Sequence, residues 1–398
     1  MKAKLFLSLV ISLIFVSGLY AETRARFLFI GDIMAHQQQL DAARYKGRDK
    51  ALRNTYDFSP QFRRVKPLFS DTFLVGNLET VFAGTQQGKR KINYSGYPMF
   101  NTPDSLIDTL SNDLEVDLLT LANNHIFDKG AEGARRTTEV LDSADLAWTG
   151  LGLDDIPSND AYILENDGIT AAFVNYTYGS NLWPKDNKDV HLNTISDKNI
   201  IAGLERAKTL KPDIIIACFH WGNEYHFKPS THQINAANTA FDNGADLLIG
   251  THPHVLQPVE VRIDENNNVK AVAWSLGNFV SFQRTLPRER TYILSAEFVK
   301  DDSGNTRLAK LGAAPLYVVA PGQKRTEVTY SGTDENTIEK LDFKGLSKSM
   351  LAKIRKTGKA VLEFLGAREE VDEYGFYTLW TEEEPEKLPV SKRKSPRD

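Results

Sequence analysis

Cysteine occurs once in the 398 residues, at Cys218, inside the apolar run Ile214-Ile-Ile-Ala-Cys-Phe. A single thiol excludes an intrachain disulfide framework. Its apolar setting marks it as a small buried hydrophobe rather than a nucleophile. An excess of positive charge is also missing: the net charge of −4 leaves no electrostatic footprint for nucleic acid. There is no internal repeat, no low-complexity tract, and no Gly-x-Ser-x-Gly elbow or Walker loop. The apolar stretch Leu5 to Val16 is too short for a comfortable membrane span. What remains is an ordinary globular composition, 41% hydrophobic and 25% charged, long enough for one large or two ordinary domains.

The N-terminus reads as a targeting segment. Lys2 and Lys4 precede the apolar stretch, and Ser17, Gly18 and Ala21 supply small residues after it. Residues 1–21 are therefore expected to be a signal peptide cleaved after Ala21, with Gly18 as a second candidate and a retained anchor helix as the other reading. No cysteine lies nearby, which excludes a lipoprotein anchor. The working part is expected outside the cytoplasm, periplasmic or at the cell surface.

From Arg24 to Ser281, strand-like apolar runs alternate with stretches of helical spacing at Asp104–Leu110, Ala131–Asp142, Asn199–Lys208 and His232–Asn243. Such alternation predicts an α/β layered fold. Two hairpin signals interrupt it, one through Asn166-Asp-Gly168 and one through Asp264 to Asn268. Hairpins beside βαβ units predict a two-sheet sandwich flanked by helices. Beyond Arg284, Thr291–Val299, Leu308–Leu311 and Leu316–Val319 read as strands and Phe343–Leu365 as one or two helices. The expected organisation is a domain over 24–285, an α+β extension over 286–380 that completes or packs on the core, and a charged disordered tail over 381–398.

The apolar runs share a feature: each delivers a polar, chemically useful side chain at its carboxyl end. They are Phe27-Leu-Phe-Ile-Gly-Asp32, Phe73-Leu-Val-Gly-Asn-Leu-Glu79, Leu118-Leu-Thr-Leu-Ala-Asn-Asn124-His125, Ile214 through His220-Trp221, and Leu247-Leu-Ile-Gly-Thr-His252-Pro-His254. Open α/β sheets collect ligands at that edge. Asp, Glu, Asn and His are the donors that hold intermediate-to-hard divalent metals. Taken singly, Asp32 can equally cap a helix, Glu79 can be a loop acid and His36 a surface group. Four of the eight histidines nevertheless fall in these motifs, and His252 and His254 share one side of an extended segment.

Ligand roles are accordingly expected for Asp32, Glu79, Asn124, His220, His252 and His254, around one or two divalent cations (Mn²⁺, Zn²⁺ or iron). His125 is expected as the general acid toward a leaving oxygen, oriented by Asp128. Asn123, Trp221 and Glu224 are expected to line the substrate side. A cation pair would polarise a phosphoryl or carbonyl oxygen and acidify water.

This ordered set, with Asp128-x-Gly130, Gln257 and Ser275-Leu-Gly-Asn278-Phe, resembles the bacterial capsule-synthesis CapA family, associated with poly-γ-glutamate capsules and belonging to the calcineurin-like metallophosphoesterase superfamily. The resemblance covers roughly Phe27 to Phe282. It implies a four-layer α/β/β/α sandwich and extracytoplasmic work on a capsule-like polymer. It also implies an anionic polymer or phosphoester as substrate, with membrane-embedded synthase subunits as possible partners. Two departures from the superfamily pattern stand out. Met34 replaces the histidine two residues after Asp32, and Asn77-Leu-Glu79 replaces the bridging aspartate motif. The functional expectation is a metal-dependent hydrolase. The alternative is a non-catalytic capsule factor that binds polymer or synthase, to which Lys89-Arg-Lys91 would offer positive charge.

Overall fold

Alternation along Phe27-Leu-Phe-Ile30 sets the architecture. Phe27 and Phe29 point into one apolar core, while Leu28 and Ile30 point into another. A strand buried on both faces needs a layer on each side, and the computed structural model supplies both. It describes residues 22–46, 55–69, 72–154, 161–185, 189–264, 266–320 and 326–385. The expected signal segment therefore lies outside the described residues. Among these residues no helix is long and apolar enough to cross a membrane.

An eight-stranded sheet runs in the order Glu327–Tyr330, Thr306–Val319, Arg290–Lys300, Thr23–Ile33, Phe73–Leu78, Leu118–Thr120, Ala147–Thr149, with Tyr377–Thr381 also paired to Thr306–Val319. A six-stranded sheet runs Leu256–Ile263, Val269–Leu276, Leu247–Thr251, Ile214–His220, Ile169–Thr177, Tyr162–Asn166. Between the sheets lie Phe27, Phe29, Phe73 and Val75 from the first, against Phe173, Ile216, Cys218 and Ile249 from the second. Burial pushes the Cys218 thiol up to about 12, in keeping with a packing role.

Helices Ser105–Asn112 and Gly130–Ser143 bury Leu106, Ile107, Leu110 and Leu141 on the outer face of the first sheet. Asp197–Thr209 and Thr231–Asp242 do the same for the second sheet with Ile200, Leu204, Ala237 and Ala240. The four layers are thus helix, sheet, sheet, helix. Both hairpins form, Tyr162–Asn166 with Ile169–Thr177 and Leu256–Ile263 with Val269–Leu276.

The C-terminal third differs from the sequence reading in detail. The segments 308–311 and 316–319 are parts of one strand, Thr306–Val319, because pairing with Arg290–Lys300 and Tyr377–Thr381 carries the backbone through the residues between them. This strand pairs with Arg290–Lys300, which pairs in turn with Thr23–Ile33 (Phe27 opposite Ala296), so residues on both sides of the boundary at 285 build one sheet. One helix, Lys348–Leu365, is capped by Ser347 and closed by Gly366 in the left-handed region, and it sends Val361 and Leu365 into the inter-sheet core. The first residues of the expected tail, 381–385, are described and paired. Thr381 ends a strand, Glu382 is held by Arg307 at 2.7 Å and Glu384 by Arg368 at 2.7 Å, while 386–398 lie outside the described residues.

One titrating group is built into the sheet edge away from the site. Asp246 accepts the Ile215 N–H at 2.8 Å, and burial raises its carboxyl from 3.8 to about 6 against the weaker opposing pull of that N–H and of Lys270. The folded state then binds the proton more tightly than the unfolded chain. This contribution is full below about pH 4 and is lost as pH rises through about 6. In urea titrations between pH 3.5 and 7, the unfolding free energy of the wild type should fall relative to that of Asp246→Asn up to pH 6, with a constant gap above it.

Candidate metal centre

Every ligand candidate sits at a strand end because the two sheets present their carboxyl edges to one another. Parallel pairing of Thr23–Ile33, Phe73–Leu78 and Leu118–Thr120 brings Asp32, Glu79 and Asn124 to one side. Parallel pairing of Ile214–His220 with Leu247–Thr251 brings His220, His252 and His254 to the other. A bulge at Gly31, where the register shifts between Ile30 and Asp32, turns Asp32 toward the seam. There Asp32 N–H donates to Gly277 O at 3.0 Å, and Val280 N–H donates to Asp32 O at 3.1 Å. A Cβ on Gly31 would lie 1.8 Å from Gly277 O. Gly31→Ala should therefore lose about 3 kcal/mol of stability and a large part of the metal content, read by urea unfolding and metal analysis.

Two groups of donors lie close enough to share ions: Asp32, Glu79 and His220, and Glu79, His252 and His254, each with ligand atoms within 4.8 Å of one another and all buried. Glu79 belongs to both. Its Oε1 stands 3.8 Å from His220 Nε2, 3.8 Å from His254 Nε2 and 3.9 Å from His125 Nε2. Neither carboxylate oxygen has a hydrogen bond. Burial first, then Asp32 beside it, pushes the Glu79 carboxyl well above the usual range. His220 and His252 are pushed down, chiefly by burial and then by neighbouring imidazoles. The donor set and the orphaned oxygens of Glu79 fit a divalent cation.

The surrounding hydrogen bonds orient these donors. His254 Nδ1 faces two acceptors, Asp32 Oδ2 at 3.1 Å and Asn278 Oδ1 at 2.9 Å, so it carries the proton and Nε2 keeps its lone pair on the Glu79 side. The amide of Asn278 is fixed by its NH2 group, which donates to Gln283 and to Arg288 O, each at 3.2 Å. Asn77 donates to Asp32 Oδ1 at 2.8 Å and reaches His220 Nδ1 at 3.3 Å. Asn124 Oδ1 meets His220 Nε2 at 2.8 Å. His252 Nδ1 is buried without a partner. The backbones of His252 and His254 have φ of 94° and 57°, unusual for non-glycine residues and a mark of strain held by the surrounding fold.

His125 stands apart from the two groups. Its Nδ1 meets Asp128 Oδ2 at 2.8 Å, an oxygen that also accepts the Phe100 N–H at 2.7 Å. The ring is pinned edge-on by Phe100 at 4.7 Å, leaving Nε2 toward Glu79. His36 also comes close: its Nδ1 accepts the Phe282 N–H at 3.2 Å. Burial, then His254 and His125, lower it to about 4.

The three expected substrate residues separate. Asn123 is fully buried, donating to Leu78 O at 2.7 Å and accepting the His125 N–H at 3.0 Å, so it shapes the loop instead of facing substrate. Trp221 is buried in the outer core of the second sheet, with its indole N–H on Trp274 O at 3.0 Å, again behind the site. The signal that favoured it, adjacency to His220, is misleading because neighbouring residues in a strand face opposite sides. Glu224 is exposed at the rim. Met34 is buried in the position of the missing histidine. Residues that the sequence reading did not select are Asn175, whose Oδ1 accepts the Ala122 N–H at 2.7 Å and ties the two sheets, and the rim tyrosines Tyr178 and Tyr225.

Comparison with known proteins adds an independent line. The family model for "Bacterial capsule synthesis protein PGA_cap" matches residues 26–283. The PGA biosynthesis protein CapA of Bacillus subtilis (strain 168) is 29% identical over 258 residues, covering 63% of this chain and 62% of the relative. The match thus spans less than two thirds of that protein's length. The capsule biosynthesis protein CapA of Bacillus anthracis is 29% identical over 315 residues, covering 76% of this chain and 71% of the relative. The crystal structure of a 5'-nucleotidase precursor from Thermus thermophilus aligns with a TM-score of 0.42 at 10% identity, covering 85% of this chain and 58% of that one.

Proposed function

We propose, from the premise that this chain belongs to the bacterial capsule synthesis protein PGA_cap family, that it is an extracytoplasmic metal-dependent hydrolase acting on an anionic capsule-type polymer or a phosphoester. The observation that carries this reading is Glu79: a carboxylate with zero exposure, no hydrogen bond on either oxygen, and imidazole nitrogens on three sides. Asp32, Glu79 and His220 would hold one divalent cation, and Glu79, His252 and His254 a second, with Asn124 beside His220. A cation held there supplies Lewis acidity toward a phosphoryl or carbonyl oxygen and lowers the pKa of water.

The chain's own groups do the rest. Asp128 accepts the Nδ1–H of His125, and in the imidazolium form the Nε2–H can pass to the leaving oxygen, leaving the neutral ring with its proton on Nδ1. Asp32 and Asn278 hold the His254 ring so that Nε2 faces the site. Phe100 packs on His125 at 4.7 Å and Tyr178 on His252 at 4.6 Å, which fixes both rings. Synthase subunits embedded in the membrane are the partners this role calls for.

The test uses purified protein loaded with Mn²⁺, Zn²⁺ or Fe²⁺, its metal content measured, and turnover followed on bis-p-nitrophenyl phosphate and on poly-γ-glutamate. Turnover that tracks metal content supports the proposal. A folded, metal-loaded protein inert on both substrates overturns the catalytic reading in favour of a polymer-binding factor. Fractionation of cells that produce the full chain tests location, with recovery in the cytoplasm counting against an extracytoplasmic role.

A further inference from the structure

Two tyrosines straddle the histidine pair. Tyr178 lies 4.6 Å from His252, its N–H anchored on His220 O at 3.0 Å, and it is half exposed. Tyr225 lies 6.1 Å from His254, its N–H anchored on Pro253 O at 2.7 Å, and is also about half exposed. The Tyr225 backbone has φ of 65°, a conformation the local sequence alone would not favour.

A guanidinium caps the Tyr225 wall. Arg288 stacks 4.4 Å from the ring centroid, and both it and Glu224 act on the phenol. Its Nε is held by Thr285 Oγ1 at 2.5 Å, and its carbonyl receives the Asn278 amide that orients His254. The nearby Arg284 is paired with Glu289 at 2.8 Å, whereas among the described residues no carboxylate lies within ion-pair distance of Arg288. A guanidinium held in plane by stacking, with its terminal N–H groups uncommitted to any carboxylate, is organised for bidentate recognition of an oxyanion. The matched family span ends at residue 283, before Arg288.

We propose that Arg288, stacked on Tyr225, forms an oxyanion-binding subsite beside the metal centre that seats a carboxylate or phosphate of the substrate. The subsite deepens the hydrolase reading and rests on it for its place in catalysis, but oxyanion capture by Arg288 is measurable without turnover. It accounts for a cation at the rim of an otherwise acidic and imidazole-rich opening. It also gives the site a handle on repeating anionic units.

The experiment titrates wild type, Arg288→Gln and Arg288→Lys with inorganic phosphate and with a short γ-linked glutamate oligomer, using calorimetry. Each protein is measured metal-loaded and after chelation, with metal content and thermal unfolding recorded alongside. Arg288→Gln should raise Kd for the preferred probe about tenfold, with metal content and unfolding unchanged, and Arg288→Lys should recover part of the loss. The preferred probe identifies the source of the oxyanion. Equal binding by wild type and Arg288→Gln, or no binding of either probe to wild type, overturns the proposal. Arg288-dependent binding that persists in a protein unable to hold metal sustains the subsite while sinking the metal reading, so the two failures are told apart.

Discussion

Glu79→Gln should empty the site and, without metal, make the protein more stable. The two effects have opposite sign because the same carboxylate is a liability in the bare fold and an asset with a cation. Both its oxygens are buried without a donor, and burial together with Asp32 already drives it toward the neutral form. Removing that demand should raise the unfolding free energy of the chelated protein by about 1–3 kcal/mol. Glu79 belongs to both donor groups, so the variant loses the ligand the two share. Metal content should drop below one equivalent and turnover by about 1000-fold, corresponding to ~4 kcal/mol of transition-state stabilisation. Metal analysis, urea unfolding with and without chelator, and single-substrate kinetics measure the three quantities. A variant that keeps its full metal complement would remove Glu79 from the centre.

His125→Ala should act on chemistry alone. Its ring contacts Asp128 at 2.8 Å and Phe100 at 4.7 Å but lies in neither donor group. Loss of a positioned general acid lowers turnover by about 10²–10⁴. Metal content should stay at the wild-type value, the reverse of the Glu79 pattern. Asp128→Asn should give a smaller loss. Asparagine can put its oxygen where Asp128 Oδ2 meets both the Phe100 N–H and the His125 ring, but it brings no negative charge to the imidazolium. A substrate with a good leaving group, which needs no proton, should rescue both variants. Failure of that rescue would make His125 a binding group and not an acid.

How much of this was legible in the chain depends on what each feature rests on. The strands Thr23–Ile33, Phe73–Leu78, Ile214–His220 and Leu247–Thr251 stand out because strands buried on both faces are continuous apolar runs. Their polar carboxyl ends stand out for the same reason, since a charge after such a run has few structural uses. Thr306–Val319 is harder to read as one strand, since Gly312 and Pro315 interrupt its pattern and only pairing to Arg290–Lys300 and Tyr377–Thr381 carries it through. Trp221 and Asn123 were placed by proximity in sequence, which does not encode which face of the backbone looks into the site.

The sequence by itself determined the identity of the donors, their position at strand ends and the layered architecture, because hydrophobic period and residue chemistry are local properties. Only the tertiary structure decided that Glu79 is shared by both donor groups, that Asn278 and Asp32 orient His254, and that Tyr225 and Arg288 stand over the opening. Those relations join segments from both sheets and from the loop before Arg290–Lys300. The contacts that create them form only when the two carboxyl edges are packed against each other, so no single stretch of chain carries their signal.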